Sequence, residues 1–60
     1  MINVNQKVKI RRGDKWEEGV VHFVHPLHRW FSVKHGTEDY KWLTSFKFDE
    51  IGKKVRICNN

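Results

Sequence analysis

Four histidines and one cysteine, His22, His25, His28, His35 and Cys58, are the side chains here best suited to metal or acid–base chemistry. The first three recur at every third residue, but zinc requires ligands that converge on one point. An extended strand turns His22 and His25 to opposite faces, and Pro26 then imposes a turn before His28. The spacing is that of surface and turn histidines, not of a metal centre. An inward His35 would serve as a hydrogen-bonded polar residue at the rim of a core. Ser32, Ser45 and Cys58 lack any spacing that would join a nucleophile to a base and an orienting acid. Asp49-Glu50 suits a turn cap or solvated charge, and there is no glycine-rich phosphate loop. The expectation is a non-enzymatic chain with no catalytic residues, no metal and no cofactor.

The basic and aromatic residues carry more functional content. Lys7, Lys9 and Arg11 alternate with Val8 and Ile10, and Arg12 follows; Lys54 and Arg56 flank Val55 near the other end. His28, Arg29 and Trp30 fall in and beside a turn, with Lys34 four residues beyond Trp30. Bases stack on exposed aromatic rings while Lys and Arg follow the phosphates. Trp30 is expected to project outward beside Lys34, and one of Trp16, Tyr40 and Trp42 to be exposed as well. The net charge of +5 and pI near 9.7 fit an acidic partner. The same excess can serve solubility alone. Lys7, Lys9, Arg11, Arg12, His28, Arg29, Trp30, Lys34, Lys54 and Arg56 are therefore the expected binding residues, with RNA or DNA as the partner. The alternative is a module that takes a protein or peptide in an aromatic groove.

These side chains must be positioned by strands. The organising stretch, Glu18 to His35, has two β-branched and aromatic runs, Val20–Val24 and Trp30–Val33, around the only proline. It reads as a hairpin. Ahead of it, Val4 to Arg11 alternates with period two, with Val4 tucked under the sheet by a turn at Asn5-Gln6. Arg12-Gly13-Asp14-Lys15 is a loop, and Gly19 suits a bent strand or a close backbone crossing. Two alternation phases compete in Val20–Val24, which a bulge near His22-Phe23 reconciles, with Val21 and Val24 inward. In the next strand Phe31, Val33 and His35 share the inner face. His35 to Asp39 turns into a fourth strand over Tyr40–Phe46. Lys47–Gly52 holds one 3₁₀ turn, and Lys54–Ile57 is the last strand, with Val55 and Ile57 inward. Asn59 and Asn60 are expected to fray. The expected core is Val8, Ile10, Val21, Val24, Phe31, Val33, Phe46, Ile51 and Val55.

Sixty residues with a single cysteine make one small domain that stands without an internal disulfide. Met1–Asn5 has no charged segment leading into an apolar run, and no apolar stretch approaches the ~20 residues that span a bilayer. Cytoplasm is the expected compartment. A start at Met1 and an end soon after the last strand suggest a complete small protein. Val4-Asn5-Gln6-Lys7-Val8-Lys9-Ile10 matches Ile51-Gly52-Lys53-Lys54-Val55-Arg56-Ile57 in character, position by position. The two copies read as first and last strands that pair with each other and close a barrel, removing its edges.

Val8-Lys9-Ile10 before a loop, Glu18-Gly19-Val20-Val21, Phe31-Ser32-Val33, and Phe46 through Ile51 before Val55 resemble SH3-like barrels of the KOW and Tudor type. The resemblance covers nearly the whole chain. It implies an all-β, five-stranded SH3-like barrel with a short 3₁₀ turn before its last strand. Glu18 through Pro26, with Arg29-Trp30-Phe31 and Ser45-Phe46-Lys47-Phe48, is also similar to small prophage-encoded proteins of Gram-positive bacteria. That likeness implies a phage accessory or regulatory protein.

Overall fold

The computed structural model describes residues 2–58 and is all-β. β1 (Lys7–Arg12), β2 (Lys15–His25), β3 (Trp30–Gly36) and β4 (Lys41–Lys47) run in order, followed by a 3₁₀ turn (Phe48–Glu50) and β5 (Val55–Ile57). All five strands form one antiparallel sheet in the order β4-β3-β2-β1-β5. The fraying expected of Asn59 and Asn60 lies outside the described residues.

Local chemistry explains the turns. Gly13-Asp14 joins β1 to β2 as a two-residue loop, Arg12 pairing with Lys15, and only Gly13 takes a positive φ, 61°. That is the pattern of a II′ hairpin turn, which needs glycine first. Pro26 to Arg29 turns β2 into β3, with Arg29 left-handed at φ 59°, and the Arg29 carbonyl accepts the Phe48 N–H at 3.0 Å. The hairpin tip is thereby tied to the 3₁₀ turn. The bulge expected near His22-Phe23 is present as a register shift between Val21 and Phe23. It sets Val21 and Val24, three residues apart, both against the core.

Alternation along each strand supplies the core. Val8, Ile10, Val21, Phe31, Val33, Phe46 and Val55 are buried in one cluster. Val24 and Ile51 are half-buried and pack against it, as do Phe48 and Ile57. Five strands share one cluster, so the sheet must bend around it. Gly19 permits part of this bend: a Cβ there would lie 2.6 Å from Val33 Cγ1.

Two expectations need correction. Val4 does not tuck under the sheet; it is 50% exposed and Ile2 takes the buried place. The reason is the turn itself, which centres on Val4-Asn5. Gln6 N–H donates to the Asn3 carbonyl, and Asn5 takes φ 72°, a type II turn that leaves Val4 at its outer corner. The first and last strands do pair, Val8 with Ile57, Lys9 with Arg56 and Ile10 with Val55. That pairing does not remove the edges, because no ladder joins β4 to β5 among the described residues. Among the described residues β4 keeps a free side, whereas the outer side of β5 is met only at Val55, by an isolated bridge to Ile51.

Candidate nucleic-acid interface

Burial of Val8 and Ile10 turns Lys7, Lys9 and Arg11 to the outer face of β1. Residues directly opposite in an antiparallel ladder share a face, so the register extends this surface across the sheet. Lys9 lies between Arg56 of β5 and Glu18 of β2; Lys7 pairs with Val20, Val20 with Lys34, and Lys34 with Leu43. Arg11 faces Trp16, and the Arg56 guanidinium sits 4.3 Å from the centre of the Trp16 ring. A cation this close to an indole face is attracted by its quadrupole. Glu18 is the only carboxylate that the strands place on this face among the described residues. Lys7, Lys9, Lys34 and Lys41 line one shallow depression there.

The structure thus unites Lys7, Lys9, Arg11, Lys34 and Arg56. It separates the other five. Arg12 turns away and pairs with Glu17 at 3.1 Å. Lys54 precedes β5 in a turn, its ammonium 3.4 Å from Glu50. His28, Arg29 and Trp30 lie at the β2–β3 hairpin, where with Lys47, Asp49 and Glu50 they border a separate cleft. Trp30 is half-buried rather than freely projecting, because the His25 ring lies 4.0 Å from it and Phe23 stacks edge-on against His25. Tyr40 and Trp42 are both exposed, at 69% and 51%, where only one exposed ring was expected. Trp16 is the half-buried one.

His35 is buried on the core side and bonded at both ring nitrogens, Nδ1 to Glu17 Oε2 at 3.0 Å and Nε2 to Thr44 Oγ1 at 2.6 Å. The carboxylate can only accept, so Nδ1 carries a proton. This is the hydrogen-bonded rim residue that the sequence suggested. Burial pushes the Glu17 carboxyl up, but the Arg12 hydrogen bond and the charges of His35 and Arg12 outweigh it, leaving the group below its ordinary value. Among the described residues no three His, Cys, Asp or Glu side chains gather closely enough to hold a metal ion. Among the same residues no helix is long and apolar enough to cross a membrane.

Sequence reasoning missed Lys41, Glu17 and Thr44. Lys41 was within reach: placing Tyr40 and Trp42 in one phase puts Lys41 in the other, with the outer cations. Glu17 and Thr44 gave no local signal, since their meeting with His35 depends on the register of three strands. Compared with known proteins, the chain matches no family model, no curated protein and no solved structure.

Proposed function

We propose that this protein is a non-enzymatic binding module that holds nucleic acid against the outer face of its sheet. The supporting observation is the merger of basic rows from separate strands: Lys9 opposite Arg56, and Lys7 joined through Val20 to Lys34. Cations gathered within about a Debye length (~8–10 Å) act together on a polyanion. The β1–β5 pairing and the 3₁₀ turn before β5 support reading the bent sheet as an SH3-like barrel. A phage accessory role rests on the sequence resemblance alone, and a cytoplasmic setting on the reading of the sequence alone.

Fluorescence anisotropy with labelled oligonucleotides tests this reading. Affinity should fall steeply with salt as phosphate contacts release counterions. Replacing Lys9 and Arg56 together with glutamine should weaken binding to all sequences alike and flatten the salt slope by about one per lost contact. No binding at low salt to any RNA or DNA would sink the proposal. A second reading, a protein- or peptide-binding adaptor, is favoured by Leu27 and Phe23, exposed apolar side chains at one hairpin. It requires a localised partner footprint with weak salt dependence.

A further inference from the structure

β4 carries cation and aromatic on opposite faces of a single edge strand. Lys41 joins the outer depression, while Tyr40 and Trp42 flank it in sequence and lie on the other face. The two rings are nearly parallel, 20° apart with centroids 6.3 Å apart, and both are open to solvent. The Trp42 ring is also held in place. It lies against Gly36, where φ is 125° and a Cβ would come within 2.7 Å of the indole. Its other neighbour is His35, 6.1 Å away between ring centres and itself fixed by Glu17 and Thr44. A rigid ring loses little freedom when a flat ligand stacks on it. Among the described residues β4 has no strand on its far side, so only one strand's thickness separates Lys41 from the shelf.

We infer that the β4 edge is where bases are received: a single strand runs its phosphates past Lys34 and Lys41 and stacks unpaired bases on Tyr40 and Trp42. This rests on the nucleic-acid reading above and narrows it to single-stranded or unpaired ligands. The charge on the adjoining face selects this occupant, because Lys41 and Lys34 lie nearest the shelf and Lys7 and Lys9 continue the same basic depression, complementing a phosphate chain. The other two tryptophans are less available for stacking. Arg56 covers Trp16, and Trp30 is packed against His25. A duplex keeps its bases inside the stack and can offer only phosphates.

The test compares three ligands of equal length: a single-stranded oligothymidine, an abasic oligomer with the same phosphates, and a duplex. The single strand should bind roughly tenfold or more tightly than the abasic oligomer, the gain expected from one or two stacked bases. Trp42→Ala should reduce its affinity toward the abasic level with the salt slope unchanged, and Trp42→Ala with Tyr40→Ala should reach it. Trp42→Phe should retain most of the affinity, and Trp30→Ala all of it. Tyr40→Ala repeats the test at a ring that does not back onto His35, and thermal melts check that each variant is folded. Equal affinity for abasic and base-bearing strands, or no loss in both Trp42→Ala and Tyr40→Ala, overturns the inference and leaves phosphate binding intact. Binding of none of the three at low salt overturns both. Loss of self-association on Trp42→Ala, with oligonucleotide affinity intact, would make the shelf a protein contact and overturn the inference too.

Discussion

At the scale of single residues, Glu17 and Glu50 are the groups that should make stability depend on pH. Glu17 binds Arg12 and His35; Glu50 accepts the Lys47 backbone N–H at 2.9 Å and pairs with Lys54. For Glu50 the Lys47 hydrogen bond is the largest influence, and with Lys54 it outweighs burial, so this carboxyl too lies below the ordinary 4.5. A carboxyl whose folded pKa is depressed contributes stability above its unfolded value, and loses it as pH falls through the folded one. The melting temperature should therefore be nearly level between pH 6 and 5 as far as these two groups decide it, and drop below about pH 4.5. Glu17→Gln should lower the melting temperature at pH 7, because Arg12 and His35 lose their charged acceptor, and should make the acid limb shallower. An acid limb of unchanged steepness, followed by circular dichroism, would deny Glu17 this role.

Among the elements, the β1–β5 pair is the one most exposed to ionic conditions. Lys9 and Arg56 stand directly opposite one another, and like charges so placed weaken a ladder. The repulsion is partly offset, since Glu18 flanks Lys9 on the other side and Trp16 takes the guanidinium of Arg56. Lys54, which the sequence places in the same row, is drawn off by Glu50. Moderate salt should accordingly raise the melting temperature by a small amount. Lys9→Gln should raise it at low salt and remove most of the dependence. If thermal melts show neither change, Glu18 and Trp16 already neutralise the pair.

The whole molecule stands on one small cluster. Phe31 is fully buried at its centre, its ring 5.9 Å from Phe46 and 6.1 Å from Phe48, centre to centre. Truncating such a ring leaves a cavity costing about 3–5 kcal/mol. Domains of this size have only about 5–15 kcal/mol of stability at most to lose, and small ones sit at the low end. Phe31→Ala should thus be largely unfolded at 37 °C by circular dichroism. A cooperative melt close to that of the parent would mean that the cluster repacks around the void.

Much of this architecture is legible in the chain alone because alternation is a local property. Val8 and Ile10 against Lys7 and Lys9, or Phe31 and Val33 against Lys34, declare their faces within a few residues. The competing phases of Val20–Val24 likewise announce the bulge, and the echo of β1 in β5 anticipates their pairing. The tertiary structure alone decided what depends on partners distant in sequence. Register brought Glu17 and Thr44 to His35 and Lys34 into line with Lys7, and the sheet order left β4 with a free edge. Trp30 shows the limit most clearly. Its outward phase was readable, but not that His25 would cover it, while Tyr40 and Trp42 remained open. Exposure is set by what packs alongside a side chain, and those neighbours come from other strands.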